Sequence, residues 1–385
     1  MVRAISNLIK TSAWPLGVFG VTRLGLVLLV YWSLVFLPQN PDVKGFQAFP
    51  DNRILNGWAR WDAGWYLGIA AHGYPALPAP GEPNGVVFFP LYPILIAGVN
   101  LLIHNGAASA LLVSNAAFVI ALVLLYRLTS ECYGDFTARW TVLLLAIFPF
   151  SFYFSAAYSE SVFLLAVVGA FYFGQRKKWF LAALFAMAAS AARAVGVTVA
   201  LGLVLLYLST VQFRLRQVRR DILWLALAPL GLIAYMGYLG IRFNDPLLFI
   251  TSRNVTGWEA GRTLAVAWDT VISNLTSIQR LVSGAFVRAP MDLFHIGLSV
   301  VALILLVVAW RRLSIAHVIW AIVCVVISFL NGWGGMGRYL LPIFPVFIAV
   351  PLLIKRENVL TSIAYVSVLF MALFAVMYSH WYWVS

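Results

Sequence analysis

Charged residues are scarce in this chain of 385 residues, because only 10% are Asp, Glu, Lys or Arg whereas 63% are hydrophobic. Soluble domains carry about 25% charged residues, so this composition excludes an ordinary soluble enzyme. Apolar runs of about 20 residues, which are long enough to cross a hydrocarbon core about 30 Å thick, recur from end to end. The sequence therefore predicts an all-α polytopic membrane protein with a single integral-membrane domain, residues 1–385.

Cysteine and the motifs that hold nucleotides or metals are also scarce. The two cysteines, Cys132 and Cys324, lie in separate segments without metal-ligand spacing, so we interpret both as unpaired thiols. The sequence has no nucleotide-binding glycine loop, no Asp-x-Asp pair and no His/Cys cluster. These absences disfavour a soluble nucleotide-sugar donor bound through a metal ion. We expect neither a metal nor a cofactor.

Basic residues outnumber acidic residues by 26 to 13, which gives a net charge of +13. Most of them lie in short loops between apolar runs, where they orient a membrane protein and contact anionic lipid headgroups. We therefore expect membrane lipids as partners and no nucleic acid. The charge pattern predicts about eleven crossings, a cytoplasmic N-terminus and two long outer loops, residues 38–88 and 242–291. For residues 89–127, one net crossing and two ordinary spans both remain possible.

The acidic residues are few enough to be sorted by elimination. In the predicted topology, four lie on the cytoplasmic side: Glu131, Asp135, Asp221 and Glu357. The other nine lie outside: Asp42, Asp51, Asp62, Glu82, Glu160, Asp245, Glu259, Asp269 and Asp292. Asp62 and Glu160 are closest to apolar spans and to aromatic residues, where burial makes an ionisable side chain costly unless it has a role.

Asp62 is the stronger candidate for a general base. A carboxylate becomes a useful base when neighbours desolvate it in part and orient it toward a hydroxyl, and Trp61 and Trp65 would supply that desolvation. The alternative is that Asp62 caps an interfacial helix, because Asp is favoured at the cap position. Glu160 either accepts hydrogen bonds from sugar hydroxyls or, with Ser159, caps the span that follows.

Two arginines, Arg193 and Arg338, lie at the outer ends of predicted spans, against the usual orientation bias. Each guanidinium presents a planar fork of donors that suits a phosphate, and the glycine-rich turn before Arg338 would let a ligand approach the backbone closely. The alternatives are a snorkelling side chain or an ion pair with Glu160. His72 either moves a proton or binds a hydroxyl, or it is a structural hydrogen-bonding residue.

Several sequence blocks resemble, in order, the PIG-V family of GPI mannosyltransferases and their prokaryotic relatives. The blocks are Arg60-Trp61-Asp62 with Tyr66, His72-Gly73-Tyr74, Phe88-Phe89-Pro90-Leu91-Tyr92-Pro93, Pro149-Phe150-Ser151-Phe152-Tyr153-Phe154, Tyr158-Ser159-Glu160-Ser161, Asp245-Pro246-Leu247 before Trp258, and Arg338-Tyr339-Leu340-Leu341-Pro342. The Tyr-Ser-Glu-Ser block and the long block from Trp-Asp to Phe-Pro are the most specific.

The resemblance implies a GT-C type glycosyltransferase fold, with about 11 transmembrane helices and interfacial helices in the first outer loop. It implies an inverting transfer of mannose from polyprenyl phosphate mannose, such as dolichol phosphate mannose, to a lipid or glycan acceptor, with Asp62 as the catalytic base. The implied substrate-binding residues are Arg60, Trp61, Tyr66, His72, Tyr158, Glu160, Arg193, Trp258, Arg338 and Tyr339. The site would face outward from a prokaryotic cytoplasmic membrane, or into the lumen of the endoplasmic reticulum in a eukaryote.

Two alternatives to a mannosyltransferase remain open at the level of sequence. The same chemistry would serve another polyprenyl phosphate sugar, such as glucose or arabinose, since no residue pattern reads the stereochemistry of the hydroxyls. A transporter or flippase for a lipid-linked glycan would be expected to place charges near the middle of the membrane and to have two related halves. The polar residues instead gather at one predicted face.

Overall fold

The computed structural model describes residues 2–43, 45–76, 84–252, 272, 289–330 and 333–384. Within these ranges the regular secondary structure is α-helix and 3-10 helix, without a strand. The predicted all-α class is therefore confirmed. Most of the second outer loop, including Trp258, lies outside the described residues.

The α-helices follow one another along the chain with short connections. They are α1 (Val2–Phe36), α2 (Arg53–Asn56), α3 (Ala63–His72), α4 (Leu91–Ile103), α5 (Gly106–Tyr133), α6 (Asp135–Ala146), α7 (Glu160–Gln175), α8 (Trp179–Ala192), α9 (Val199–Thr210), α10 (Leu230–Phe243), α11 (Leu248–Thr251), α12 (Ala289–Val308), α13 (Ile315–Leu330), α14 (Met336–Tyr339), α15 (Phe344–Leu353) and α16 (Glu357–Ser379). The 3-10 helices are Gly85–Val87, Ser151–Phe154, Ala194–Thr198, Leu215–Gln217, Arg220–Leu227 and Trp333–Gly335.

Four helical segments in the described part of the chain are long and apolar enough to cross a membrane: Ser12–Phe36, Gly106–Tyr133, Arg220–Phe243 and Glu357–Ser379. Seven shorter apolar helices of 10–17 residues accompany them. Large apolar side chains on these helices are exposed, for example Leu24 at 62% and Leu369 at 71%, as expected of a surface that lipid covers. The chain is an integral membrane protein, whereas the number of crossings and their orientation stay predictions.

At the centre of the molecule, α7 packs against both α5 and α8. Small residues allow this close packing, which is how helices associate inside membranes. One face of α8 buries four alanines completely, at Ala182, Ala183, Ala186 and Ala189. The N-terminal end of α7, which begins at Glu160, is thereby fixed against α5 and α8.

One predicted span is shorter than the sequence indicates. The hydropathy predicts a span over residues 140–154, but α6 ends at Ala146 and a 3-10 helix follows at Ser151–Phe154. Pro149 has no N–H to donate and is incompatible with a helix interior, which accounts for the break. The guanidinium of Arg23 on α1 donates to the carbonyl oxygens of Ala146 and Ser151, the latter at 2.9 Å. A buried arginine therefore satisfies backbone groups that the break leaves open.

Residues 89–127, which the sequence leaves ambiguous, form two helices. A tight turn separates α4 from α5, with His104 at a φ of +53° and the Asn105 side chain accepting a hydrogen bond from the Ala108 N–H at 3.0 Å. At 1.5 Å per residue, the 13 residues of α4 span about 20 Å, which is less than the hydrocarbon thickness. The helix packs against α3, which lies in the predicted first outer loop, and against α5.

Candidate active site

The carboxylate of Asp62 lies in a buried ion pair with Arg338. Arg338 Nη1 is 2.6 Å from Asp62 Oδ2, and each side chain is 12% exposed. Asp62 occupies the residue before α3, but its side chain makes no capping hydrogen bond to that helix. Asp62 therefore stands at the N-cap position of α3, but its side chain does not cap the helix, because the carboxylate is engaged by an arginine from a distant helix.

Glu160 extends this ion pair into a network of four charges. Arg338 Nε is 3.4 Å from Glu160 Oε1, and the same oxygen accepts a hydrogen bond from Arg193 Nη1 at 2.7 Å. Glu160 is 1% exposed, and its second oxygen, Oε2, has no hydrogen-bond partner within the described residues. We call Asp62, Glu160, Arg193 and Arg338 the charge network. It contains two carboxylates, two guanidiniums and one carboxylate oxygen that is free to accept.

The ends of two helices position Glu160 and Arg193. Glu160 is the first residue of α7, where the helix dipole favours a negative charge, and the preceding Ser159 makes no side-chain cap bond. Arg193 follows the last residue of α8 in extended backbone, at the break before the 3-10 helix Ala194–Thr198. The sequence predicts a turn near Arg193, and the structure has the helix break at that residue. Both arginines pair with Glu160, as one of the two alternatives for them expects.

Arg338 lies on the four-residue helix α14, whose placement depends on a glycine. A Cβ atom at Gly337 would lie 2.3 Å from the ring of Phe150, which is far inside the contact distance of two carbon atoms. Only a residue without a side chain allows this close approach of backbone to ring. The absence of a side chain at Gly337 therefore lets α14, which carries Arg338, pack directly against Phe150.

Three tyrosine rings surround the guanidinium of Arg338. Its Cζ atom lies 5.7 Å from the ring centroid of Tyr153, 5.5 Å from that of Tyr158 and 5.5 Å from that of Tyr339. Aromatic faces attract a cation at this range. Burial lowers the pKa of Arg338, but the carboxylates of Asp62 and Glu160 raise it by more, so that its pKa lies well above the ordinary value. Arg338 is therefore a permanent cation.

The hydroxyl of Tyr158 holds the backbone on both sides of Trp61. It accepts a hydrogen bond from the Asp62 N–H at 3.1 Å and donates one to the Arg60 carbonyl at 3.1 Å. Trp61 itself has a φ of +53°, which is uncommon for a bulky residue and costs on the order of 1–3 kcal/mol. Its ring packs edge-on against Trp381 at 5.4 Å and Trp383 at 5.1 Å. These contacts stabilise the turn that directs Asp62 toward Arg338.

Arg60 faces away from the charge network, toward the end of α16. Its Nε donates to the Ser379 carbonyl at 3.1 Å, and its guanidinium lies 4.8 Å from the Trp381 ring. Burial lowers the pKa of Arg60 from 12.5 to about 10, and Tyr378 raises it in part. Its two terminal nitrogens have no hydrogen-bond partner within the described residues. A substrate-binding role for Arg60 stays a prediction.

The other predicted binding residues divide into those near the network and those away from it. Tyr66 is buried, with its hydroxyl 2.9 Å from Ser159 Oγ, next to the start of α7. Tyr339 packs against both arginines of the network, with its ring centroid 5.3 Å from the Arg193 Cζ atom. His72 is the last residue of α3 and is exposed. Trp258 lies outside the described residues, so its role stays a prediction.

Sequence reasoning missed several residues that build the site. Tyr153 and Ser159 lie inside blocks that carry the family resemblance, but no pattern indicates that one faces Arg338 and the other bonds Tyr66. His295 was not a candidate, although its ring accepts a hydrogen bond from the Gly337 N–H. In the described part of the chain, no group of three or more His, Cys, Asp and Glu side chains lies together as a metal site would require.

The fold of the described helices has a counterpart among solved structures. It is similar to the apo crystal structure of the oligosaccharyltransferase of Archaeoglobus fulgidus, with a TM-score of 0.50 at 14% sequence identity. The match covers 97% of this chain and 56% of that one. The complex of the same enzyme with zinc and sulfate gives a TM-score of 0.46 at 13% identity, over 96% of this chain and 53% of that one. The present chain therefore spans about half the length of the oligosaccharyltransferase.

In sequence, the chain is similar to GPI mannosyltransferase 2 of Drosophila pseudoobscura pseudoobscura. The two are 33% identical over 146 residues, which is 34% of this chain and 31% of the relative. No protein-family model matches the chain. The similarity to a mannosyltransferase is thus local, and membership of the PIG-V family stays a prediction.

Proposed function

We propose that the protein is a membrane glycosyltransferase that transfers a mannosyl residue from polyprenyl phosphate mannose to an acceptor hydroxyl at the outer face of the membrane. The observation that carries the proposal is the contact of 2.6 Å between Asp62 and Arg338, which brings a carboxylate and a permanent cation together in a buried site. The GT-C fold and the local similarity to a mannosyltransferase support it. The acceptor would be a lipid, a glycan or a protein.

In this proposal Asp62 is the general base of an inverting displacement. Its carboxylate takes the proton from the acceptor hydroxyl while the hydroxyl oxygen attacks the anomeric carbon of a β-linked mannosyl phosphate. The bond between that carbon and the phosphate oxygen breaks, and the polyprenyl phosphate leaves with the bonding electrons. The new glycosidic bond is then α. We propose that the reaction needs no metal and no cofactor, because the two arginines supply positive charge to the phosphate.

Arg338 and Arg193 would stabilise the charge that develops on the leaving phosphate. Fixed guanidiniums in a site with little water act strongly on such a charge, and each offers several donors in one plane. Arg193 is the more exposed of the two, at 19% against 12%, so a phosphate would meet it first. The free Oε2 of Glu160 would accept a hydrogen bond from a sugar hydroxyl.

The ion pair between Asp62 and Arg338 then has a consequence for the order of events. In the ion pair, Arg338 engages the carboxylate of Asp62, which has to accept the proton. A donor phosphate competes for the same guanidinium, so its arrival would exchange one partner of Arg338 for another and release Asp62. The base would become available only when the donor is present.

The experiment uses purified protein with synthetic polyprenyl phosphate mannose, short mannosides and membrane lipids as acceptors, and it measures release of polyprenyl phosphate. We expect Asp62→Asn to lower the rate on the order of 100- to 10,000-fold. Asp51→Asn is the matched control, because Asp51 is an exposed acid of the same loop, and its rate should equal that of the unmodified protein. An Asp62→Asn variant that is as active as the control would exclude Asp62 as the base. Turnover of the glucosyl donor alone would assign a different sugar.

A further inference from the structure

We propose that His295 is a positioning residue that holds Arg338 in place by fixing the backbone of Gly337. This inference rests on the proposed function of the charge network. His295 lies on α12 and is 1% exposed. Its Nδ1 accepts a hydrogen bond from the Gly337 N–H at 2.8 Å, and its Nε2 lies 3.1 Å from the Val384 carbonyl oxygen.

The two contacts determine which nitrogen of the imidazole carries the proton. The Gly337 N–H is a donor, so Nδ1 must present a lone pair, and the Val384 carbonyl is an acceptor, so Nε2 must carry the hydrogen. A neutral imidazole with its proton on Nε2 satisfies both partners at once. An imidazolium would place a second donor against the Gly337 N–H and lose that bond.

Gly337 is fixed from two directions by this arrangement. The bond to His295 satisfies an amide in the first turn of α14, where no helical partner is available. The ring of Phe150 lies against the α-carbon on another side, so closely that a Cβ atom there would be 2.3 Å from it. Phe150 also packs on His295, with ring centroids 5.1 Å apart. Arg338 is the next residue in the chain, so its backbone has little freedom to move away from Asp62.

The other bond of His295 reaches residues 380–384, which we call the end segment. This segment is held by the first outer loop, since the Asn40 N–H donates to the His380 carbonyl at 3.0 Å and the Asn40 amide donates to the Trp381 carbonyl at 3.3 Å. Trp61, beside the proposed base, packs against Trp381 and Trp383. The end segment therefore connects the backbone that carries Asp62 with the histidine that holds the backbone of Arg338.

The test separates the two bonds of His295 with amide side chains of different length. In His295→Asn the amide oxygen takes the place of Nδ1 and still accepts from Gly337. In His295→Gln the amide nitrogen takes the place of Nε2 and still donates to Val384. We expect His295→Asn to keep kcat/KM for the mannosyl donor within about threefold. We expect His295→Gln to lower it on the order of 10- to 100-fold, because a displaced catalytic cation is costly even when the shift is small.

Amide hydrogen exchange followed by mass spectrometry gives a readout that needs no turnover. Peptides that contain Gly337 should exchange at the original rate in His295→Asn and faster in His295→Gln. Peptides of the end segment should exchange faster in His295→Asn and at the original rate in His295→Gln. If this exchange pattern is observed but neither the variants nor the unmodified protein releases polyprenyl phosphate, the proposed function is rejected. The hydrogen bond between His295 and Gly337 would still be supported.

Three outcomes would overturn the positioning role. The first is equal exchange at Gly337 in the two variants. The second is equal kcat/KM in the two variants while the unmodified protein is active. The third is loss of monodisperse protein for both variants, which would make His295 a residue of the packed interior rather than a support for Arg338.

Discussion

The guanidinium of Arg338 contacts the carboxylate of Asp62 at 2.6 Å, although 276 positions separate the two residues in the sequence. Asp62 belongs to the predicted first outer loop and Arg338 to the short helix α14. The carboxylate of Asp62 would be costly to bury without Arg338, because a buried charge without a partner is unfavourable. The ion pair therefore forms only when the segment that carries Asp62 and the helix that carries Arg338 have packed together, which also assembles the site.

Asp62 and Arg338 should act as one unit in catalysis. We expect Arg338→Gln to slow the release of polyprenyl phosphate on the order of 100-fold or more, because it removes positive charge from the leaving group. The double variant with Asp62→Asn should be about as slow as the slower single variant, since residues that share a step are not additive. The control is Arg176→Gln, which breaks an exposed ion pair with Glu131. Fully multiplicative effects would show that Asp62 and Arg338 act in separate steps.

Loss of the Glu160 carboxylate should destabilise the protein. Glu160→Gln leaves Arg193 and Arg338 with less negative charge around them, and breaking a buried pair costs about 3 kcal/mol. Thermal unfolding in detergent should show a lower midpoint, and Glu160→Gln with Arg193→Gln should recover part of the loss. The same pair of changes at the exposed ion pair of Glu131 and Arg176 should cost about 1 kcal/mol or less. An equal effect at the two pairs would contradict the structural importance of Glu160.

The hydroxyl of Tyr158 should be needed for both stability and activity. Tyr158→Phe leaves the Asp62 N–H without its acceptor, which costs about 1–3 kcal/mol for a buried group, and it removes one of the donors to the Arg60 carbonyl. The turn at Trp61 then loses its support, so we expect a lower thermal midpoint and a lower kcat. Tyr238→Phe is the control, because Tyr238 is 40% exposed. Unchanged kcat in Tyr158→Phe would show that the turn does not depend on this hydroxyl.

Gly337→Ala should displace α14 from Phe150. The added methyl group would lie 2.3 Å from the aromatic ring, and overpacking of this kind costs about 1–3 kcal/mol. We expect a fall in kcat/KM that Phe150→Leu partly reverses, because the smaller side chain leaves room for the methyl group. Gly297→Ala, on α12, has no neighbour within 4 Å of the added atom and should be neutral or slightly stabilising. A fully active Gly337→Ala variant would show that activity does not depend on the close packing of α14 against Phe150.

Local sequence features predicted much of the fold but not its long-range contacts. The polar and aromatic residues around Asp62 stand out in an apolar chain, so elimination among thirteen acids left Asp62 and Glu160 as the candidates, and the family resemblance favoured Asp62 as the base. The break at Arg193 was predictable because the apolar run around it is too long for one helix. The end of α6 at Ala146 was not, because hydropathy continues through Pro149 whereas helical hydrogen bonding does not.

The neighbours of the two network arginines could not be derived from the sequence. An arginine beside a carboxylate and an arginine beside a phosphate look alike in sequence, so both alternatives for Arg193 and Arg338 were open. The three tyrosines around Arg338 come from separate segments, and only tertiary packing brings them together. His295 gave no signal, because a lone histidine in an apolar run carries no information about which backbone it bonds.

The contact between Arg23 and the broken end of α6 also bears on how the protein is synthesised. Arg23 lies on α1, whereas its partner Ser151 follows 128 positions later in the chain. An arginine at the centre of a membrane helix costs about 3 kcal/mol when it has no partner. A nascent chain that stops before Ala146 would leave this guanidinium facing lipid or the translocation channel. The guanidinium of Arg23 therefore gains these hydrogen-bond partners only after α6 and Ser151 have been made.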